Sequence, residues 1–278
     1  MQDVLCFRLF GPMAAWGAPG AAGGERPSGT RPGRGAVIGL LGAALGLTHA
    51  DEGALHELGA GILVAAATHG ARRIASDFRT AQSAKPPPRK APPWATRREA
   101  LAAGADDPQI GMRQHVEDSL WRVFVTPRPG TDIVLSRLEQ ALRAPAFPLN
   151  LGRRECPLAL PPDPRVVPGG LLDACRQYPP VAAGGEWNTL TSALDRLSWL
   201  VQEADRGTYD LSWDAGFPGA PEAGFARPVN DDPASREAWR FRARVEVRAR
   251  MRDAALKEAA REEGAPALDD YFAAADQE

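Results

Sequence analysis

The chain has 278 residues, 44% hydrophobic and 24% charged, enough to bury the core of one large soluble domain. Its 33 Lys and Arg against 35 Asp and Glu give a formal charge of −2, which by itself argues against a nucleic-acid partner. The distribution is uneven: residues 1–100 carry 12 bases and 7 acids, residues 101–278 carry 21 and 28, a split compatible with a local nucleic-acid site and an acidic remainder turned to proteins.

Met1 to Phe10 reads as a strand in which Val4, Cys6 and Arg8 alternate with Leu5, Phe7 and Leu9. It ends at Gly11-Pro12, the pattern of a central strand buried on both faces. With Asp3 and Arg8 inside it, no secretion leader is expected. The most apolar run, Ala36 to Leu47, is glycine-broken and too short for a membrane span, so a cytoplasmic location is expected. An irregular basic loop from Ala18 to Gly35, holding Arg26, Arg31 and Arg34, leads into a helix over Val37 to Gly46. Gly39, Gly42 and Gly46 share one face of that helix. Interior glycines destabilise a helix by about 0.5–1 kcal/mol each relative to alanine, so a close neighbour, sheet or RNA, is expected there.

A short helix over Asp51 to Leu58 and a strand over Ile62 to Thr68 follow. From Arg72 to Arg98 Asp77 is the only acid, and Pro86-Pro87-Pro88 with Pro92-Pro93 excludes regular structure, giving a protruding basic arm or a disordered loop. Ser119 to Val125 alternates as a strand, and Ile133, Leu135, Leu138 and Leu142 recur at helical spacing within Asp132 to Arg143. Strand, helix, strand, strand, helix predicts an α+β, ferredoxin-like sandwich with helices on one sheet face and the other free to bind. Beyond a proline-rich loop, Pro145 to Pro168, short helices are expected at Leu171 to Arg176 and Leu190 to Glu203. A half-exposed strand is expected at Phe241 to Val247 and a charged helix at Met251 to Glu263.

Generic catalytic signatures are missing. Cys6, Cys156 and Cys175 lack zinc spacing and read as small buried residues; His49, His56, His69 and His115 are scattered, so neither metal nor cofactor is expected. The pairs Asp106-Asp107, Asp231-Asp232 and Asp269-Asp270 read as solvated surface. What stands out is arginine beside glycine: Arg31 and Arg34 among Gly29, Gly33 and Gly35, and Arg153-Arg154 after Gly152. Guanidinium binds phosphate bidentately, glycine admits close backbone approach, and the helix after Arg34 would aim its positive end at an anion.

The run Phe7 to Gly17, then Arg31 to Gly46, then Leu151-Gly152-Arg153-Arg154-Glu155-Cys156-Pro157-Leu158, then Ala234-Ser235-Arg236-Glu237 with Trp239, closely resembles the CasD-type subunits of type I-E CRISPR Cascade. These form the Cas-five family of the RAMP superfamily. The resemblance implies a ferredoxin-like RAMP domain over residues 1–250 with a thumb hairpin at about 76–114, long loops at about 145–235, and a helical C-terminal extension over 251–278. It implies a non-catalytic subunit that caps the 5′ handle of CRISPR RNA, contacts the backbone subunit CasC and the large subunit CasA, and meets target DNA through the assembled complex. By position it offers Arg26, Arg31, Arg34, Gly35, Arg113, Arg153 and Arg154 as RNA-binding residues, and Arg113 aligns with an arginine at the thumb's return. Asn150 stands where the family commonly has an aromatic residue. The alternative is a metal-independent endoribonuclease acting on precursor RNA, with His49, His69, His115, Tyr178 and Lys90 as available acids and bases.

Overall fold

The computed structural model describes residues 2–18, 25–82, 84–89, 92–104, 108–180, 208–235 and 240–252. In chain order its elements are β1 (Asp3–Ala14), β2 (Glu25–Arg26), α1 (Arg34–Ala44), α2 (Glu52–Gly61), β3 (Ile62–Ala81), α3 (Arg97–Ala102), β4 (Gln109–Pro127), α4 (Leu135–Arg143), β5 (Arg165–Pro168), α5 (Leu171–Gln177), β6 (Thr208–Asp214), β7 (Phe225–Ser235) and β8 (Arg240–Arg252). Among the described residues the strands form one mixed sheet in the order β5-β1-β4-β3-β6-β8-β7, antiparallel along that path, with β2 added parallel to β4.

β1 is paired along both edges by β4 and β5 and covered on both faces by packed elements, so every residue from Val4 to Gly11 is buried. The odd side chains Leu5, Phe7 and Leu9 pack with Val123 and Val125 under α1, α2 and α4, which contribute Val37, Leu41, Leu58, Leu138 and Leu142. Such side chains each contribute about 1.5–3 kcal/mol when fully buried. The even residues Val4 and Cys6 pack with Ala65, Ala67 and Phe124 under α5, which supplies Leu171, Ala174 and Cys175, together with Tyr178 and Phe217. The sheet face expected to be free for binding is therefore covered. The short helix α5 and the residues around Tyr178 and Phe217 cover it, a role that depends on contacts far along the chain.

The close approach expected at the α1 glycines is real at Gly42, but its neighbour is a helix rather than sheet or RNA. A Cβ on Gly42 would come within 2.6 Å of Leu55 Cδ2 on α2. Gly46, at φ +80°, lies just past the helix end. All three cysteines are buried and free.

β3 and β4 run much further than the strands expected at Ile62 to Thr68 and Ser119 to Val125. The β1 pairing ends at Ala14 opposite Val116 and the β6 pairing at Thr68 opposite Asp210, whereas β3 and β4 stay paired out to Ala81 opposite Gln109. Past those limits they form a two-stranded ribbon flanked only by β2 among the described residues. Among the described residues the prolines at 86–88 and 92–93 carry no helix or strand, as expected, and a short helix, α3, follows them. Thr96 caps α3 by accepting from the Glu99 N–H, Trp94 Nε1–H donates to the Lys85 carbonyl at 3.0 Å, and the Lys85 N–H donates to the Gly104 carbonyl at 3.1 Å.

At the other end of the sheet, β6, β7 and β8 add three strands, of which sequence patterning locates only part of β8. Met251 and Arg252 pair with Tyr209 and Thr208 as strand, so the helix expected from Met251 does not begin there. The rest of that helix, the helix expected at Leu190 to Glu203, and the segment 236–239 lie outside the described residues. No helix among the described residues is long and apolar enough to cross a membrane.

Candidate nucleic-acid interface

The chain leaving β1 is pinned against the root of the ribbon. Trp16 is buried edge-on against Trp121, ring centroids 5.0 Å apart, and its backbone N–H donates to Ser28 Oγ at 3.0 Å. Trp121 Nε1–H donates to the Thr30 carbonyl at 3.0 Å, and the Ser28 N–H donates to Gln114 Oε1 at 3.3 Å. These ties hold β2 beside β4, with Arg26 level with Arg113. From the other side comes the turn at residues 151–157. The Ala15 N–H donates to the Leu151 carbonyl at 2.9 Å and the Leu151 N–H to the Cys156 carbonyl at 2.7 Å. Gly152 makes this possible: it sits at φ +89°, and a Cβ there would overlap the Ala15 carbonyl. Asn150 pairs across the turn with Pro157 in an isolated bridge.

Together these segments assemble a cluster of cations. Cross-strand register puts Asp77, Arg79, Arg113 and His115 on one face of the ribbon. Glu155 stands among them: its carboxylate lies 3.1 Å from Arg79 Nη2, 3.1 Å from His115 Nε2, 3.5 Å from Arg113 Nη1 and 3.7 Å from Arg153 Nη1. Arg153 reaches back to donate to the Arg26 carbonyl at 3.1 Å. Arg26 and Arg154 are exposed at the margin. The field is strongly positive. The hydrogen bond with His115 holds the Glu155 carboxyl below its ordinary range; desolvation opposes it, and the charges of Arg79 and Arg113 add to the lowering. Partial burial pulls the Arg153 guanidinium below its usual value; Glu155 opposes that, while Arg113 and Arg26 add to it. The opposite ribbon face is apolar and open, with Ile74, Phe78, Ile110 and Met112 exposed.

The sequence expectation for the loop before α1 divides at this point. Arg26 lies in the cluster, but Arg34 does not: it is 3% exposed and its guanidinium is consumed inside the protein. It pairs with Asp214 and with Asp232 at 3.0 Å, and donates to the carbonyls of Gly59 and Ile62. Arg31 pairs with Glu246, itself 3% exposed. Gly35 faces β7, where a Cβ would stand 3.1 Å from the Asp231 carbonyl oxygen. Asp231 and Asp232, expected as solvated surface, belong to the same buried network, Asp231 holding Arg244 at 2.6 Å while Arg244 also reaches Asp214 at 2.7 Å. Burial pulls the Arg244 pKa down, but the Asp231 hydrogen bond and the nearby carboxylates raise it above the ordinary value. Arg31, Arg34 and Gly35 thus bind α1 to the β6–β8 end of the sheet, and in this structure they present no guanidinium fork to an external phosphate.

Arg79, His115 and Glu155 complete the cluster without having been expected in it. Arg79 stood only in the run of bases, and its alignment with Arg113 follows from a ladder closing over a long connection. Among the described candidate acids and bases, His69 and Tyr178 are buried away from this surface and His49 is exposed; Lys90 lies outside the described residues. Among the described residues no group of three or more His, Cys, Asp or Glu could hold a metal ion.

The sequence model of the family described as CRISPR-associated protein (Cas_Cas5) matches residues 4–254. The CRISPR system Cascade subunit CasD of Escherichia coli (strain K12) is 31% identical over 170 residues, covering 58% of this chain and 70% of that protein. Among solved structures, a chain of a CRISPR RNA-guided surveillance complex superposes with a TM-score of 0.59 at 21% identity, over 90% of each chain. A second, described as a crystal structure of a Cas protein, gives a TM-score of 0.58 at 23% identity, over 90% of this chain and 95% of that one.

Proposed function

The chain belongs to the CRISPR-associated Cas5 family, and from that premise we propose that it is a non-catalytic, guide-RNA-binding subunit of a type I-E Cascade complex in the cytoplasm. It caps the 5′ handle of the CRISPR RNA, joins the CasC backbone and the CasA large subunit, and reaches target DNA through the assembled complex. In this reading the sheet with α1 and α4 is the ferredoxin-like RAMP domain, and the ribbon of β3 and β4 with its tip is the thumb.

One observation carries the proposal: Arg79, Arg113 and Arg153 converge on the Glu155 carboxylate beside the ribbon, with Arg26 and Arg154 exposed at its margin. Several guanidinium groups within reach of one anion suit successive backbone phosphates of a single strand. The exposed Phe78 and Met112 on the other ribbon face offer flat or soft surface to unstacked bases.

The test replaces Arg113 and Arg153 with alanine in the assembled complex. At about 1.4 kcal/mol per lost charge-assisted contact, each substitution weakens guide-RNA retention roughly tenfold. Retention at the wild-type level with both arginines gone overturns the site. A specific alternative rests on His115, whose Nε2 lies within hydrogen-bond range of Glu155. A defined, metal-independent cut in the cognate repeat RNA by the purified chain, lost in His115→Ala, would make the chain an endoribonuclease. No cut is expected.

A further inference from the structure

Glu155 occupies the position in the cation cluster that an RNA phosphate would take. Its carboxylate lies 3.1–3.7 Å from Arg79, Arg113, Arg153 and His115, longer than the roughly 2.7–2.9 Å of a tight charge-assisted hydrogen bond, so the cations surround it as an anion site without any one of them gripping it closely. The turn that carries it is locked to β1 through Ala15 and Leu151 and admits only glycine at position 152, so the carboxylate is delivered to the cluster by rigid backbone. It is nevertheless 29% exposed, with Arg113 at 35%, so solvent and ligand reach the pair. Asp77 accepts from Arg79 Nε at 2.7 Å, which leaves Arg79 Nη2 to Glu155.

We infer that Glu155 is a built-in phosphate surrogate, holding the cluster closed in the RNA-free chain and displaced when guide RNA docks. The inference rests on the reading of this cluster as the RNA site. Its consequence is selectivity. An RNA that presents several phosphates in register outcompetes one tethered carboxylate, whereas a loosely held polyanion offering a single phosphate gains little by displacing it. Glu155 thereby weakens every RNA somewhat and unrelated RNA most.

The surrogate role and a merely orienting role predict opposite signs. If Glu155 only aligned the arginines, its removal would weaken binding at every salt concentration. If it competes with phosphate, Glu155→Gln binds RNA more tightly, by about 3- to 10-fold near 50 mM salt. Its affinity then falls more steeply with salt, because solution anions replace the carboxylate as counterions and are released on binding. The preference for guide over unrelated RNA narrows in the same variant.

The measurement is anisotropy of a fluorescein-labelled transcript of the cognate repeat, and of an unrelated RNA of equal length, on the full chain. The variants are Glu155→Gln, Glu155→Ala and the double variant Arg113→Ala/Arg153→Ala, each checked for an unchanged melting midpoint. Tighter binding by Glu155→Gln beside weaker binding by the double variant supports the inference; Glu155→Ala serves the same comparison if the Gln variant fails to fold. Weaker or unchanged binding on loss of Glu155, with the double variant still impaired, overturns the surrogate and leaves the RNA site standing. A double variant that binds normally overturns the RNA site itself.

Discussion

The guanidinium of Arg34 is enclosed by Asp214, Asp232 and the carbonyls of Gly59 and Ile62, while the Arg113 guanidinium is one-third exposed and meets Glu155 at 3.5 Å. Loss of the two should therefore fail differently. Arg34→Ala leaves Asp214 buried beside Arg244 with half its countercharge gone, and removing one partner of a buried pair costs about 3–5 kcal/mol. Urea unfolding is expected to show that loss directly, and complex assembly to fail through folding. Arg113→Ala should leave the unfolding free energy within about 0.5 kcal/mol of wild type, as for surface substitutions, while weakening RNA retention. Equal stability of the two variants would show that Arg34 is not the internal tie described above. The sequence could not separate these arginines, because both sit near glycines and the acids that claim Arg34 are 180 and 198 residues away. Arg153 was legible for a local reason, since the glycine before it and the turn that follows lie within one short segment.

At the scale of elements, β1 and α4 were readable because their burial patterns are complete within a dozen residues: an unbroken buried run in one, Leu135, Leu138 and Leu142 in the other. The outer ribbon was not. Arg73 to Ala81 mixes charge with exposed Ile74 and Phe78, so no buried face marks it as strand, and its pairing partner lies beyond a proline-rich connection. That geometry makes the tip separable. Ala81 pairs with Gln109, so replacing residues 82–108 by a two-residue Asn-Gly turn closes the same ladder. The core should not notice: the melting midpoint is expected to move by no more than about 4 °C, the shift that about 1 kcal/mol brings in a chain of this size. Calorimetry showing a drop of more than about 10 °C would mean that the tip packs on the domain as a structural part.

Across the whole molecule the charges fall into two populations that a net value of −2 conceals. One is internal, the Arg31, Arg34 and Arg244 network with Asp214, Asp231 and Glu246 that joins α1 to β6, β7 and β8. Burial pushes the Glu246 carboxyl up, and only its neighbouring arginines keep that rise in check. The other is the surface cluster around Glu155. Mobile ions screen exposed charges over about 10 Å at 0.1 M salt but reach buried pairs poorly, so the two populations respond differently to the same titration. RNA binding should fall with a log–log slope near −3, at about −0.7 per phosphate for four or so neutralised phosphates. The unfolding free energy over the same salt range should change by less than about 1 kcal/mol, since surface ion pairs contribute little and the network is shielded. Parallel anisotropy and urea titrations measure both. A fold that weakens in step with RNA release would mean that the internal network is open to solvent and that α1 is held to the sheet by charges the medium can compete for.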